Sequence, residues 1–291
     1  RISYCGLQHC KGDPFPKDAF AGDENACVDF RYSQSPRLSW WFDHHVSAFA
    51  LPGDREHFEA DKSGRKFYDP HAKACTKLEA DVLSKHFGFD VSSLDELVDW
   101  AEMIDGAQFP DARTAVLLEQ PALRLMTWLE TNRDPSLAAR CIEDLQARSL
   151  SEVAGQPYVA GPMQSIFERH WRTISVIGGR IVIDGGVAFF DLMEDGLEAF
   201  NKFIPYLLHP ESRYSVALTR SATKVKISVG SNPWSTILRD HDIASICEGY
   251  GGGGHKVVGA ISLAPGECER GRQIAQEIVR KLNQTGSPSE S

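Results

Sequence analysis

The segment "LSWWFDHH", residues 38–45, joins a short aromatic run to one aspartate and two histidines. The run is brief and rich in aromatic residues, which is typical of a buried strand in an α/β sheet. Asp43, His44 and His45 come directly after it. Such side chains cost free energy to bury unless a metal ion, an ion pair or solvent compensates them. The segment therefore predicts a strand with a polar site at its carboxyl end.

Two more acidic residues are predicted to reach similar positions. Asp29 follows the apolar run "ACV", and Asp105 lies where an amphipathic helical pattern stops. In an open α/β sheet, ligands bind at the carboxyl ends of the strands. Because side chains alternate along an extended segment, we expect His44 and His45 to point in opposite directions and to have different roles.

The residue types in this set favour a hard divalent cation. Carboxylate oxygens with one imidazole suit Mn²⁺ or Mg²⁺ better than zinc, which prefers thiolates or several imidazoles. Two such ions would activate a water and neutralise charge on a phosphoryl group. Taken singly, each residue has a simpler explanation: Asp29 and Asp105 as caps of a turn and a loop, and His44 as a satisfied polar residue. Their shared position at the ends of elements favours the metal site.

A second cluster is the glycine run "GGGGH", residues 251–255. Without side chains, backbone N–H groups converge more easily on an anion, and His255 adds a donor. The alternative is a flexible turn, which glycine tracts often form. Arg220, near a hairpin turn, carries a guanidinium suited to phosphate, although a solvated turn residue explains it as well.

Apolar patterns elsewhere predict an α/β chain of two domains. Strands are predicted at residues 2–7 ("ISYCGL"), 26–30 and 38–42, and helices at 75–88, at 94–105 after a Ser92 or Ser93 cap, and throughout 121–172. Later patterns predict hairpins at 180–192 and 214–230, a helix at 198–208, a helix, glycine loop and strand across 242–263, and a closing helix at 271–282. The predicted domains are 1–150 and 175–284, with a helical linker at 151–174 and a flexible tail at 285–291.

Composition restricts the classes of partner. The net charge of −9 argues against coating long nucleic acids, including long double-stranded DNA, because broad phosphate binding needs a basic surface. A local basic pocket still suffices for small anions. The seven cysteines form an odd set without a CxxC pair, which predicts reduced thiols in a cytoplasm. Cys5 and Cys10 lack a matching second pair for zinc. No apolar run approaches the length of about 20 residues that is needed to span a bilayer. The sequence does not decide between a monomer and a homodimer.

Together, "DHH" at 43–45 and "GGGGH" at 251–255 resemble, in order and separation, the two signatures of the DHH/DHHA1 phosphoesterase family. The resemblance covers most of the chain, from Asp29 to about Leu282. It implies a parallel-sheet DHH domain holding two Mn²⁺ (or Mg²⁺) ions, and a smaller mixed α/β DHHA1 domain that grips the nucleotide. Family members act on short oligonucleotides, 3′-phosphoadenosine 5′-phosphate or cyclic dinucleotides.

The resemblance also implies roles for individual residues. Asp29, His44 and Asp105 match metal ligands of the family, and Asp43 and His45 then orient these ligands or face the substrate, so that the catalytic set is Asp43, His44 and His45. The residues that match the substrate-binding loop of the second domain are Gly252, Gly253, Gly254 and His255. Arg220 resembles a phosphate-contacting arginine of the same domain.

One departure concerns the first motif of the family, a histidine followed by Asp-x-Asp. His9 and Asp13 have the right first spacing, but Phe15 stands where the next acid belongs. The chain between Asp13 and Asp29 is too short for a helix and a strand, since a crossover needs about a dozen residues. We therefore expect residues 2–7 to be the second strand of the family, and a preceding segment of about thirty residues to be missing.

Three hypotheses follow. The main one is a two-metal phosphodiesterase or phosphatase that acts on short oligonucleotides or small nucleotides. The second is a nucleotide-binding protein whose catalysis is impaired because the first metal motif is absent. The third is an interaction protein that retains only the fold, for which nucleotides would not raise the melting temperature.

Overall fold

A computed structural model describes residues 2–7 and 12–284 of the chain. His9, Cys10 and the predicted tail at 285–291 lie outside the described residues. The chain divides into two compact units: one runs to Phe109 and includes Pro121–Gly161, and the other contains Pro110–Gln120 and the chain from Pro162 onward. Residues 110–120 thus pack with the later part of the chain, although nothing in the local sequence pattern indicates it.

The first unit is built on a parallel sheet of three strands, β1 (Ala26–Val28), β2 (Trp40–Asp43) and β3 (Lys66–Tyr68), in that order. The central strand β2 is buried, and the Trp41 side chain is fully buried. Its ring lies 4.8 Å from that of Tyr32, and its Nε1–H donates to the carbonyl of Phe30 at 2.9 Å. This aromatic packing fixes the strand that carries Asp43 at its carboxyl end.

Most of the other elements of the first unit are helices. The first unit contains α1 (Asp54–Ala60), α2 (Cys75–Phe87), a 3₁₀ turn (Ser92–Leu94), α3 (Asp95–Asp105), α5 (Pro121–Thr131), α6 (Pro135–Leu145) and α7 (Leu150–Ala154), while α8 (Pro157–Arg180) begins in this unit and continues into the second. The predicted ends of two helices are confirmed, since Gly88 is the C-cap that stops α2 after Phe87 and α3 ends at Asp105. The Asp134 side chain caps α6, as predicted.

The second unit has a six-stranded sheet in the order β4-β5-β6-β7-β9-β8, in which only β5 and β6 pair in parallel. Its elements are α4 (Ala112–Leu117), β4 (Val182–Asp184), β5 (Val187–Asp191), α9 (Ile204–Leu208), β6 (Tyr214–Arg220), β7 (Val225–Ser231), α10 (Ile243–Glu248), β8 (Gly253–His255), β9 (Val258–Leu263) and α11 (Cys268–Asn283). Both predicted hairpins are confirmed. The side chains of β7 alternate as predicted, whereas the central strand β6 is buried until Arg220.

One face of this sheet packs on α11. Val225, Ile227 and Val229 belong to one buried cluster with Ile274 and Ile278 of the helix. Burying such side chains contributes about 1.5–3 kcal/mol each. The side chains of β7 between these positions, including those of Lys226 and Ser228, therefore lie on the opposite face of the sheet.

Two predicted elements and one predicted cap are wrong. Residues 2–7 form no strand, and the Ile2 side chain is 71% exposed, because no neighbouring strand pairs with this segment. The helix expected at 198–208 is only Ile204–Leu208. Pro205 lies in the first turn of this helix, where its missing N–H costs nothing, whereas in the interior of a longer helix a proline costs about 3 kcal/mol. Ser92 and Ser93 form the 3₁₀ turn instead of capping α3, which follows Leu94 without a side-chain cap.

None of the described helices combines the length and the apolar composition that a bilayer span requires. The described cysteines whose thiols are free are Cys5, Cys27, Cys75, Cys141, Cys247 and Cys268.

Candidate metal centre

Asp29 follows directly after β1 in a left-handed backbone conformation, with φ at 54°. Aspartate is one of the few non-glycine residues that adopt this conformation with moderate strain. Its backbone N–H still donates to the carbonyl of Phe42 at 2.9 Å, so the chain is held to β2 while it turns. The sheet thus places the Asp29 carboxylate beside the residues that end β2.

Asp43 ends β2 and is fully buried. Its Oδ1 accepts hydrogen bonds from the backbone N–H groups of His44 at 2.8 Å and His45 at 3.1 Å, and from His45 Nδ1 at 2.7 Å. One carboxylate oxygen therefore fixes both the turn after the strand and the orientation of the second imidazole.

The expectation that His44 and His45 point in opposite directions is wrong. Their ring centroids lie 4.5 Å apart, and Asp29 Oδ1 is 3.3 Å from His44 Nε2 and 3.8 Å from His45 Nδ1. Strand alternation ends at Asp43, because its carboxylate caps the next two N–H groups and bends the chain. The two imidazoles nevertheless have different partners, since the Nδ1 atoms contact different acceptors.

His44 is held by its Nδ1, which lies 2.9 Å from the carbonyl oxygen of Ala72. A carbonyl oxygen can only accept a hydrogen bond, so Nδ1 must carry the hydrogen. In the neutral ring, Nε2 then has no hydrogen and presents its lone pair. Nε2 is buried and makes no hydrogen bond, although Asp29 Oδ1 lies at 3.3 Å and Asp105 Oδ2 at 3.2 Å. A lone pair facing two carboxylates is repelled, and either a proton on Nε2 or a cation relieves this repulsion.

Burial and neighbouring charges together shift the pKa values of the cluster. Burial raises the pKa of Asp29, the neighbouring imidazoles act against this rise, and the Asp105 and Asp43 carboxylates add to it. Burial also raises the pKa of Glu79, with a further contribution from Asp29. For His45, burial lowers the pKa, but the hydrogen bond and charge of Asp43 outweigh it, so that the pKa is raised. A divalent cation would stabilise the ionised carboxylates.

The donor set fits a hard divalent cation. Ligand atoms of Asp29, His44 and His45 lie within 4.8 Å of one another, and this is the single group of at least three such side chains among residues 2–7 and 12–284. Asp105 adds a carboxylate oxygen next to His44 Nε2. Oxygen ligands with imidazole nitrogen suit Mn²⁺ or Mg²⁺. The structure thus brings the proposed ligands Asp29, His44 and Asp105 together, and their role as ligands stays a prediction.

Several contacts that shape this centre carry no signal in the sequence. The backbone carbonyl of Ala72 selects the tautomer of His44. The hydroxyl of Tyr68, at the end of β3, donates to the carbonyl of His45 at 3.2 Å. Cys75 Sγ donates to the carbonyl of Phe42 at 3.3 Å and lies 3.5 Å from Glu79 Oε1. Backbone carbonyls are not encoded by residue type, so only coordinates identify the first of these contacts.

Asp13 and Phe15, which partly match the first motif of the family, have structural roles. Asp13 Oδ1 accepts from the backbone N–H of Phe15 at 3.0 Å, so the aspartate stabilises a turn. The Phe15 ring packs against the buried aromatic cluster beside β2, with its centroid 5.7 Å from that of Phe30. Phe15 is therefore a packing residue where the family pattern has an acid.

The glycine run is an edge strand instead of an open loop. Gly253, Gly254 and His255 form β8, which pairs with β9. A Cβ on Gly252 would lie 2.3 Å from the carbonyl oxygen of Ala260, and one on Gly254 would lie 2.2 Å from that of Val258. Close approach of two backbones thus explains these two glycines without an anion.

The other predicted substrate residues lie at or near this strand. A cavity of about 360 Å³ in the second unit is lined by Gly253, Gly254 and His255, whereas Gly252 and Arg220 do not line it. Arg220 follows Thr219, which does line the cavity, and successive residues of a strand face opposite sides. The contact of these residues with a substrate stays a prediction.

No family model and no curated protein matches this chain. Solved structures do match, and the chain has the fold of the DHH/DHHA1 phosphoesterases, an α/β protein with a parallel-sheet domain and a mixed-sheet domain joined by helices. A pGpG-specific phosphodiesterase, PggH from Vibrio cholerae, matches over 93% of this chain and 89% of its own, with a TM-score of 0.68 and 20% identity. An exopolyphosphatase-related protein from Bacteroides fragilis matches over 91% of this chain and 73% of its own, with a TM-score of 0.52 and 15% identity.

Proposed function

We propose that this protein is a divalent-metal-dependent phosphoesterase that hydrolyses phosphate esters of short oligonucleotides or small nucleotides. The observation that carries the proposal is the buried Nε2 of His44, which lacks a hydrogen bond and lies 3.3 Å and 3.2 Å from the carboxylates of Asp29 and Asp105. The shared fold supports it, since the similar solved structures include a phosphodiesterase that is specific for pGpG.

The residues of the site have separable tasks in this proposal. Asp29, His44 and Asp105 would hold Mn²⁺ or Mg²⁺, which when bound polarises a phosphoryl oxygen and lowers the pKa of water. Ala72 orients His44 through its carbonyl, and Asp43 fixes His45 through Nδ1. The Nε2 of His45, whose side chain is 44% exposed, remains to contact a phosphate oxygen or to exchange a proton.

The net negative charge of the protein favours a small substrate. A net charge of −9 repels a long polyanion, so binding must rely on a local site. Short oligonucleotides and small nucleotides meet this requirement, because few phosphates have to be accommodated.

A second candidate is a nucleotide-binding protein without efficient catalysis. One observation favours it: among the residues that the structure describes, only one group of potential ligands gathers, and the Asp13 carboxylate accepts from the backbone of Phe15. A single ion neutralises one side of a phosphoryl group, whereas a pair stabilises both the attacking and leaving oxygens.

Metal counting and hydrolysis together distinguish the two candidates. Native mass spectrometry gives the number of Mn²⁺ ions per chain, and a panel of dinucleotides tests manganese-dependent turnover. The test variant is Asp29→Asn, which tolerates the left-handed backbone, and the control is Asp23→Asn, since Asp23 is exposed and outside the cluster. We expect turnover to fall at least about 100-fold in Asp29→Asn, because loss of a residue that merely orients a metal ligand already costs about 10–100-fold. Metal and nucleotide binding without turnover would select the second candidate, and equal activity of both variants would refute the metal site.

A further inference from the structure

The first unit contains a cavity of about 490 Å³, called here the first-unit cavity, that reaches the candidate metal centre. Asp29 and Asp105, two of the proposed metal ligands, belong to its lining. Ligand-binding cavities commonly have volumes of about 300–1,000 Å³, so a small molecule fits. A molecule bound there would lie beside the ion that these aspartates are proposed to hold.

One wall of the first-unit cavity is a face of α3. The residues that form it are Leu97, Trp100, Ala101 and Ile104, and their i, i+3, i+4, i+7 spacing places them on one side of the helix. Asp105 follows Ile104 as the last residue of α3, so this wall leads to the acidic cluster. Trp100 precedes Asp105 by about 7.5 Å along the helix axis, a gap that one nucleoside can bridge.

A second wall is a face of α5 with the same spacing. The residues that form it are Ala122, Leu125, Met126 and Leu129. The apolar face of a helix usually packs against the rest of the protein. Here the apolar faces of two helices line the same cavity, and Leu129 is 43% exposed. Both helices thus present apolar surface that a flat, largely apolar ligand would cover.

Trp100 adds an aromatic surface to this cavity. The sequence has six tryptophans, and each of the other five lies near a second aromatic ring. Among the described residues no aromatic ring packs on Trp100, although this residue is partly buried. Nucleobases stack on aromatic side chains of this kind. The Trp100 ring is therefore available to a base.

The charged groups of the first-unit cavity are all negative. Asp29, Asp105 and Glu130 line it, and no lysine, arginine or histidine does so among the described residues. Carboxylates repel a phosphate, so the phosphate of a nucleotide would stay outside the cavity, at the metal ion. A carboxylate only accepts hydrogen bonds. The part of the ligand inside the cavity must therefore present donors.

Glu130 is the carboxylate that remains for such donors. It is an exposed residue of α5 without an ion pair or a side-chain hydrogen bond in the described part of the chain, whereas Asp29 and Asp105 both face His44 Nε2. Guanine places two N–H donors, at N1 and N2, side by side on one edge. Adenine and cytosine place an amino group beside a ring acceptor, and uracil has one N–H between two carbonyls. The two oxygens of Glu130 thus match guanine.

We propose that the first-unit cavity binds the guanine base of the nucleotide, with Trp100 against the ring and Glu130 accepting hydrogen bonds from N1 and N2. The inference rests on the proposed function for the position of the phosphate at Asp29 and Asp105. Trp100 then supplies affinity for any base, and Glu130 supplies the preference for guanine. Guanine nucleotides are bound more tightly than the matching inosine or adenine nucleotides.

Nucleosides separate binding of the base from the phosphate, the metal and hydrolysis. Ligand-observed NMR titrations in EDTA compare guanosine, inosine and adenosine. Inosine differs from guanosine only by loss of the 2-amino group, so the comparison removes one donor and keeps the ring and the sugar. We expect guanosine to bind about 10-fold more tightly than inosine, a factor typical of a two-point hydrogen bond to a base.

Two positions are varied against a matched control. Glu130→Gln keeps the size of the side chain but removes one accepting oxygen, so guanosine and inosine should bind nearly equally. Glu143→Gln, at an exposed position of α6 outside the lining, should retain the preference. Trp100→Ala should weaken all three nucleosides by about 10-fold through loss of stacking, and Trp100→Phe should recover much of the affinity.

Melting temperatures of the variants guard against loss of folding, and Glu130→Gln should match the wild type because Glu130 is exposed. Equal affinity for guanosine and inosine, no detectable binding of guanosine, or an unchanged preference in Glu130→Gln overturns the inference. Absence of manganese-dependent hydrolysis together with a preserved guanosine preference refutes the proposed function alone. Hydrolysis of the dinucleotide panel without any preference for guanine refutes the inference alone.

Discussion

His44 Nδ1 lies 2.9 Å from the carbonyl oxygen of Ala72, and this contact determines which nitrogen of the ring faces the acidic cluster. Ala72 precedes α2, and His44 follows β2, so the loop after β3 selects the tautomer of a residue on the neighbouring strand end. Metal-binding histidines are commonly oriented in this way by a second hydrogen bond. The buried Nε2 therefore faces the Asp29 and Asp105 carboxylates, as the proposed metal site requires.

Manganese should stabilise the protein through His44. Because an ion that binds only the folded state raises its stability by about 2.7 kcal/mol at 100 times its Kd, the melting temperature should rise measurably. His44→Ala removes the ligand and should abolish the rise. His86→Ala, at an exposed position of α2, should retain it. Differential scanning fluorimetry with and without MnCl₂ measures both, and an identical rise in His44→Ala would contradict the proposed ligand.

Asp43 should stabilise the fold and control the protonation of His45. Asp43→Ala leaves the N–H groups of His44 and His45 without their acceptor, so we expect the free energy of unfolding to fall by about 1–3 kcal/mol. Asp43→Asn keeps an accepting oxygen and should lose less. Since the Asp43 carboxylate raises the pKa of His45, this pKa should be lower in Asp43→Asn. Chemical denaturation and NMR titration of the metal-free protein measure the two effects, and an unchanged His45 pKa would contradict the second.

Neighbouring glycines of the "GGGGH" segment should differ in tolerance to alanine. A Cβ on Gly252 would lie 2.3 Å from the Ala260 carbonyl oxygen and 2.7 Å from Ile261 Cγ1, whereas one on Gly253 meets nothing. Overpacking typically costs about 1–3 kcal/mol. Gly252→Ala should therefore lower the melting temperature by several degrees, and Gly253→Ala should not. Equal melting temperatures would show that β8 is free to move away from β9.

The ion pair between Asp61 and Lys66 should give a pH-dependent contribution to stability. The two charged atoms lie 3.2 Å apart, with side chains 19% and 7% exposed. Burial opposes ionisation of Asp61, but hydrogen bonds from Ser63 and Lys66 outweigh it, so its pKa is lowered. A lowered pKa in the folded state means that the contribution is present above the unfolded pKa of about 3.9 and is lost as pH falls through the folded value.

Asp61→Asn therefore tests this linkage. At neutral pH it should reduce the free energy of unfolding by about 1–2 kcal/mol, since a charged hydrogen-bonded group is removed. The difference from the wild type should shrink as the pH is lowered from about 5 towards about 2. Denaturant titrations at each pH measure it, with the exposed Asp23→Asn as control. A constant difference across this range would contradict the lowered pKa.

Local patterns predicted the elements that carry the site because those patterns agree with the tertiary packing. The aromatic run before Asp43 is the buried β2, and the amphipathic pattern before Asp105 is α3. The Asp134 and Pro135 pair marks the start of α6, as cap chemistry requires. These signals depend only on residues that are close in the sequence, so the sequence was sufficient to predict this strand and these helices.

The errors arise where distant contacts decide the conformation. Residues 2–7 resemble a strand in composition, but a strand needs a partner, and none pairs with them among the described residues. His44 and His45 converge because the Asp43 carboxylate ends the alternation. The position of Lys226 in the lining of the second-unit cavity was not predicted, since only the register of β6 with β7 and of β7 with β9 reveals its neighbours.

The positive φ of Asp29 has a consequence for mutational libraries. A backbone at φ 54° costs most L-residues about 1–2 kcal/mol, with aspartate, asparagine and glycine as the exceptions. In a saturation library sorted only for soluble expression, codon 29 should therefore be enriched in these three amino acids. A second sort for manganese retention should then retain only aspartate at this position. Deep sequencing after each sort thus separates selection on the backbone from selection on the carboxylate.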